Sequence, residues 1–136
     1  MSPAFAVRRL EDVPTIAADD HDPRWYPVQH YFGLTAFGVN VYVAKNDGDE
    51  LLAEHDEAGS AQEEVYLVTA GEAVFTIGGE TFDVAAVSVV AVPDPAVRRG
   101  ARARSAGTTV VAIGGEQRES FRSSWQPHHF DNAPRL

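Results

Sequence analysis

The sequence predicts an all-β protein, an antiparallel sandwich or barrel. Short apolar runs alternate with period two along most of the chain, and turn residues separate them at regular spacing. Helical periodicity is nearly absent, and no internal repeat of useful length occurs. A chain of 136 residues is expected to form one domain with a single core of ordinary size.

The clearest hairpin follows a polar loop that begins at His55. Residues 64–68 combine β-branched and aromatic side chains, which favour a pleated strand. The chain turns at Ala70-Gly71, and residues 73–77 then continue at period two until the pair Gly78-Gly79, a tight-turn signal. We therefore expect any chemistry to lie where these strands meet the loop.

The other strands are predicted on the same grounds. They cover residues 37–43, 51–57, 81–84, 85–92, 97–104 and 108–113. The run 85–92 is apolar almost throughout, which predicts a strand covered on both faces. We place the barrel at 37–115, a short N-terminal arm at 1–36 and a C-terminal arm at 116–136. The C-terminal arm is expected to pack on the barrel or on a partner subunit, because its aromatic residues would otherwise be exposed.

The composition excludes several function classes. Hydrophobic residues make up 44% of the chain and charged residues 23%, which is typical of a globular protein. A formal net charge of -9 argues against nucleic-acid binding. The absence of cysteine removes disulfides, thiolate metal sites and cysteine nucleophiles. No segment approaches the ~20 apolar residues of a membrane span, so we expect a cytoplasmic protein that does not bind membranes.

The order of turns and polar positions over residues 37–115 resembles the cupin superfamily of jelly-roll β-barrels. The first cupin motif ends in a glutamate and, after six residues, a glycine, and Glu64 and Gly71 keep that spacing. The histidine pair that precedes the glutamate in cupins is not in register. His55 with Glu57 takes its place if the loop is two residues longer. The resemblance implies an antiparallel jelly-roll barrel with short N-terminal and C-terminal arms.

The second cupin motif is altered in this chain. Pro93 matches it, but the positions that align with the two glycines, the histidine and the asparagine are Val87, Pro95, Arg98 and Arg102. The resemblance implies a divalent metal held by three histidines and a glutamate in metal-binding cupins. In this sequence arginine replaces the second-motif histidine, so we predict no metal cofactor.

The metal-free interpretation assigns roles to seven residues. Arg98 is expected to project to the barrel centre, and Arg102, at the same strand parity, to complete an anion clamp, while Arg99 faces outward. The other five are expected at the same site: His55 and Glu64 as catalytic general bases, and Glu57, Gln62 and Tyr66 as ligand-binding groups. The predicted function is binding of a small organic, anionic molecule, with isomerisation, epimerisation or cyclisation as the reaction.

Two alternatives stay open at this point. The first is a divalent-metal-dependent enzyme, an oxygenase or isomerase, that uses His55, Glu57 and Glu64. His128 or His129 would supply a further ligand if the C-terminal arm closed over the barrel mouth. The second is a non-catalytic interaction module with a filled barrel. A homodimer, formed through barrel faces or an exchanged arm, is expected in each case.

Overall fold

A computed structural model describes residues 3–16, 22–118, 121 and 127–136. Within these residues the chain forms nine strands, one α-helix and two 3₁₀ helices, Leu10–Asp12 and Pro127–Phe130. The helix α1 is Val28–Phe32. The strands are β1 Arg24–Tyr26, β2 Gly38–Val43, β3 Glu50–His55, β4 Gln62–Ala70, β5 Glu72–Ile77, β6 Glu80–Ala85, β7 Ser88–Val92, β8 Arg99–Ala103 and β9 Thr109–Glu116.

The strands form two antiparallel sheets that enclose one core. The first sheet has the order β1-β2-β9-β4-β7 and the second the order β3-β8-β5-β6, so most neighbours in space are distant in sequence. All pairings are antiparallel. The predicted all-β antiparallel barrel is confirmed. None of the described helices, of three to five residues, is long and apolar enough to cross a membrane.

The interior is apolar at one end and polar at the other. The inward residues of β4 run from the fully buried Val68 and Tyr66 to Glu64, and Val68 and Glu64 pair with Val110 and Gly114 of β9. On β8 the inward residues run from buried alanines to Arg99. Strands β4 and β8 therefore bring polar groups to the same end of the barrel, where β9 has Gly114, while the other end holds the hydrophobic core.

The sheet begins earlier in the chain than the sequence indicates. Strand β1 lies within residues 1–36, the predicted N-terminal arm, and its Trp25 and Tyr26 pair with β2. Outside the sheet a second small core forms around the buried Val13, Tyr26 and Val41, with α1 packed against it. These contacts fix β1 at the edge of the first sheet.

One apolar segment has a different structure from the predicted one. The run 85–92 predicts a strand covered on both faces, but β7 is an edge strand and Val89 is 62% exposed. An apolar groove of about 480 Å³ adjoins it on the outer face of the first sheet, between Phe37 and Phe121. Much of the C-terminal arm, including Trp125, lies outside the described residues, so its packing and the homodimer stay predictions.

Gly71 lies in the turn between β4 and β5, close to Thr108. Its φ is 72°, and an added Cβ would lie 2.8 Å from the Cα of Thr108, a buried residue. We expect Gly71→Ala to lower the free energy of unfolding by roughly 1 kcal/mol for the left-handed backbone and by a further 1 to 3 kcal/mol, roughly, for the clash. Urea denaturation measures both changes.

Gly79 provides the matched control for this prediction. Its φ is 85°, but an added Cβ would meet nothing within 4 Å. Gly79→Ala should therefore show the backbone cost alone. Equal losses in the two variants would show that Thr108 yields and that the turn is not tightly packed.

Candidate functional site

Three ionisable side chains meet at the polar end of the barrel. His55 ends β3, Glu57 lies in the loop that follows, and Glu64 is on β4. One ligand atom from each lies within 4.8 Å of the others. Their side chains are 37%, 20% and 12% exposed respectively, so the cluster is half-buried and reachable from solvent.

The hydrogen bonds of His55 define its chemistry. Its Nδ1 lies 2.6 Å from the carbonyl oxygen of Ala53, which only accepts, so Nδ1 carries a hydrogen. Its Nε2 lies 3.1 Å from Oε1 of Glu57 and 3.8 Å from Oε1 of Glu64. The imidazole is thus held between a backbone carbonyl and Glu57, with Nε2 directed at the two carboxylates.

Glu57 is fixed by its own loop. Its Oε2 accepts a 2.6 Å hydrogen bond from the hydroxyl of Ser60, and its backbone N–H donates to the carbonyl of Pro95. The second bond ties the loop to the segment that precedes β8. Glu57 is therefore held beside His55 by contacts on both sides.

The two oxygens of Glu64 have different surroundings. Oε1 accepts a 2.7 Å hydrogen bond from the hydroxyl of Tyr66 and a 3.1 Å bond from Nη2 of Arg99. Oε2 lies over Gly114, where a Cβ would come within 3.2 Å of it and within 3.2 Å of Oε1 of Gln62. The missing side chain of Gly114 leaves room for Glu64 and Gln62 on the inner face. Oε2 is then the oxygen that is not committed to Arg99 and Tyr66.

Arg99 is the interior cation of this site. It is fully buried, and its Nε donates to the hydroxyl of Tyr66 at 3.1 Å while Nη1 donates to the carbonyl of Val97 at 2.6 Å. Burial acts to lower the pKa of Arg99. The interaction with Tyr66 and the negative charges of Glu64 and Glu57 outweigh it, so this pKa is raised above its usual value.

Arg98 and Arg102 do not lie where the sequence predicts them. Arg98 is 58% exposed and pairs with Glu54, and Arg102 is 64% exposed and pairs with Glu50. The prediction that they face the barrel centre, and that Arg99 faces outward, is wrong. Strand parity decides it, because Ala101 and Ala103 share the face of Arg99 and pack into the core.

The remaining predicted residues occupy the inner face. Tyr66 is fully buried, and Gln62 is partly buried one strand repeat beyond Glu64. The structure thus brings together His55, Glu57, Gln62, Glu64 and Tyr66. His129 is exposed in the 3₁₀ helix, and the side chain of His128 lies outside the described part of the chain, so a ligand role for either stays a prediction.

An aromatic pair that the sequence analysis did not select borders the cluster. Trp25 stacks on Tyr42 with ring centroids 6.1 Å apart, and its Nε1 donates to Oδ1 of Asn40 at 2.8 Å. Burial, together with the negative charges of Glu64 and Glu57, raises the pKa of Tyr42 to about 12. Tyr42 therefore stays protonated at neutral pH and serves as a hydroxyl hydrogen-bonding group.

Comparison with known proteins adds the fold family. No family model and no curated protein matches the sequence. Among solved structures, the chain is similar to a sugar phosphate isomerase from a cupin superfamily, from Silicibacter pomeroyi, with a TM-score of 0.58 and 21% identity over 69% of this chain and 59% of that chain. The chain thus spans about three fifths of that protein's length.

Two further structures match over most of their length. A cupin protein from Bacteroides fragilis has a TM-score of 0.64 and 17% identity over 92% of this chain and 98% of that chain. KdgF from Halomonas sp. has a TM-score of 0.65 and 12% identity over 85% and 97%. The resemblance to cupins is confirmed: the chain has the cupin jelly-roll fold. At these identities the chemistry has to be argued from the residues.

Proposed function

We propose that this chain is a metal-independent cupin that binds a small polar molecule at the His55–Glu57–Glu64 cluster and transfers protons on it. Isomerisation, epimerisation and cyclisation are the reaction types that such transfers serve. The observation that carries the proposal is the contact of His55 with Glu57 beside a Glu64 carboxylate whose Oε1, and not Oε2, accepts from Arg99 and Tyr66. Imidazole and carboxylate groups are the usual general acids and bases of enzymes.

The geometry suits a shift of hydrogen between neighbouring atoms of one molecule. One ligand atom of each of the three side chains lies within 4.8 Å of the others, so a small ligand beside the cluster can contact both the imidazole and the carboxylates. Oε2 of Glu64 accepts a proton from carbon or oxygen, and Nε2 of His55 delivers one to the neighbouring atom. Tyr42 and Gln62 supply a hydroxyl and an amide for orientation.

The charge of the site favours an uncharged ligand. The expectation of an anion depended on Arg98 and Arg102 facing the barrel, and both face outward. Arg99 is fully buried and already donates to Tyr66, Glu64 and Val97. The accessible groups are therefore carboxylates, an imidazole and hydroxyls. We propose a hydroxylated carbonyl compound, and the sugar phosphate isomerase of similar fold supports isomerisation as the reaction class.

A divalent metal at the same cluster is the competing proposal. Its support is the spacing of His55, Glu57 and Glu64 and the bond from Nδ1 of His55 to Ala53, which directs Nε2 at the two carboxylates as in many metal sites. The donor set nevertheless fits a dication poorly. An ion bound to Oε1 of Glu64 at about 2 Å would lie within about 5 Å of Nη2 of Arg99.

The repulsion at that distance supports the metal-independent proposal. A dication and a guanidinium about 5 Å apart repel by on the order of 6 kcal/mol at an effective dielectric constant of about 20. The buried Arg99 side chain donates to the carbonyls of Pro95 and Val97, so it is held where it lies. The residues therefore do not fit a divalent ion, and no step of the proposed reaction depends on one.

Solvent hydrogen exchange tests the proposal across a range of candidate substrates at once. Chelator-treated protein is incubated in D₂O with a panel of aldoses, ketoses and hydroxy ketones, and proton NMR follows the loss of C–H signals. We expect exchange on a subset of the panel without added metal. Glu64→Gln should abolish it, because the amide is not a base, while Glu54→Gln on the outer face should not.

Two outcomes would contradict the proposal. One is exchange that appears only when divalent metal is added. The other is near-stoichiometric iron, zinc, nickel or manganese in protein purified without added metal, lost on His55→Ala. The absence of exchange and of binding across the whole panel would favour the non-catalytic interaction module.

A further inference from the structure

We infer that Arg99 determines the specificity of this site against metal ions. Its buried guanidinium supplies the positive charge beside the carboxylates and so excludes divalent ions from His55, Glu57 and Glu64. The inference rests on the proposed function and names the residue that makes the site metal-independent. It predicts a gain of metal binding when the guanidinium is removed.

The Arg99 side chain is firmly anchored in the barrel. The side chain is fully buried and donates to four oxygens: the hydroxyl of Tyr66, Oε1 of Glu64 and the carbonyls of Val97 and Pro95. Two of these acceptors belong to the backbone just before β8. Because the guanidinium is fixed from both sides, an ion cannot displace it by a simple rotamer change.

Charge balance also opposes a divalent ion. The buried guanidinium of Arg99 lies 3.1 Å from Oε1 of Glu64, so it already balances one of the two carboxylates of Glu57 and Glu64. A dication at the cluster would lie beside this guanidinium, which stays charged, and would leave an excess of positive charge in a half-buried site.

Arg99 also contacts a residue of the potential ligand set directly. Glu64 belongs to the potential metal-binding set, and Arg99 holds one of its two carboxylate oxygens, Oε1, at 3.1 Å. Arg99→Met removes the charge but keeps an unbranched side chain of related length in the barrel wall. Oε1 then loses its cationic partner, and the three donors within 4.8 Å become available to an ion.

The experiment compares four chelator-treated proteins by titration calorimetry and by thermal unfolding with Co²⁺, Mn²⁺, Ni²⁺ and Zn²⁺. The proteins are the wild type, Arg99→Met, Arg99→Lys and Arg98→Met. We expect Arg99→Met to bind at least one of these ions about a hundredfold more tightly than the wild type and to unfold at a higher temperature in its presence. His55→Ala in the Arg99→Met background should remove the effect.

The controls separate charge from damage to the fold. Arg99→Lys loses the planar fork but keeps a positive charge at the site, so it should exclude metal as the wild type does. Arg98→Met removes a charge from the outer face, one position away, and should change nothing. If Arg99→Met does not fold, Arg99→Gln takes its place, with circular dichroism to check that β-structure is retained.

Three results would overturn the inference. They are wild-type binding as tight as that of Arg99→Met, binding by Arg99→Lys as tight as that of Arg99→Met, and no binding by a folded variant that lacks the charge. The outcome is separable from that of the proposed reaction. If Arg99→Met gains metal binding but the wild type shows no proton exchange, this inference stands and the proposed reaction fails. If the wild type exchanges protons without metal but Arg99→Met gains no metal binding, only this inference is refuted.

Discussion

Glu64→Leu is expected to lower the free energy of unfolding by about 3 to 5 kcal/mol, because it leaves the charge of Arg99 buried without a carboxylate. Arg99 is fully buried, and the Glu64 side chain is 12% exposed, so water cannot replace the lost partner. The carbonyls and the Tyr66 hydroxyl remain, but they carry no net charge. Urea denaturation with a single transition gives the free energy directly.

A matched ion pair on the outer face serves as the control. Glu54 pairs with Arg98 at 3.2 Å, but both side chains are about half exposed. Glu54→Leu should therefore cost less than about 1 kcal/mol. Adding Arg99→Met to Glu64→Leu should recover part of the loss, since no charge is then left unpaired. If the double variant is as unstable as the sum of the single ones, the two residues do not act as a pair.

His55→Gln is expected to slow proton exchange by roughly 10² to 10⁴-fold, the usual contribution of a positioned acid or base. The exchange is measured on whichever compound of the NMR panel the wild type acts on. The amide cannot take up or release a proton as an imidazole does, although it can still form hydrogen bonds. The affinity for the compound should change little, because orientation by Tyr42 and Gln62 is retained. NMR exchange rates and calorimetry measure the two effects separately.

His30 supplies the control for this substitution. It is exposed on α1, away from the cluster, so His30→Gln should leave the exchange rate unchanged. A His55→Gln variant that exchanges at the wild-type rate would remove His55 from the reaction. It would leave Glu57 and Glu64 as the groups that handle both protons.

The fold was predictable because each strand carries its own pattern and turn residues. The runs around 37–43, 64–68, 73–77, 81–84 and 108–113 all became strands. The position of β1 was not predictable from its three residues, since pairing with β2 and packing of Tyr26 against Val41 create that strand. Tertiary contacts of this kind leave no periodic signal in so short a segment.

The candidate site was predictable in part: the inward residues of β4 were predicted correctly, and those of β8 were not. The polar parity of Gln62, Glu64 and Tyr66 follows from β4 alone. On β8 the alignment with the cupin motif selected Arg98, whereas the alanines at 101 and 103 share the parity of Arg99 and are buried. Alternation of small apolar residues was the better guide, because burial of one face fixes the register of a strand.

Asn40 and Tyr42 on β2 follow the same rule. They alternate with Val39, Val41 and Val43. When β2 is considered alone, either the face with the valines or the face with Asn40 and Tyr42 could line the inside of the barrel. The N-terminal segment settles the choice, because it covers Val41 on the outside and leaves Asn40 and Tyr42 inside. For a strand of this kind, the inward face is determined by the neighbouring elements and not by its own sequence.

Strand β1 has a consequence for the exposure of Tyr42. It is a three-residue strand at the border of the first sheet, and its Trp25 covers the ring of Tyr42. Short border strands open at a small fraction of the global unfolding free energy. Loss of the β1–β2 pairing would expose Tyr42 while the other sheet pairings persist, so we expect Tyr42 to gain solvent exposure before the rest of the barrel unfolds.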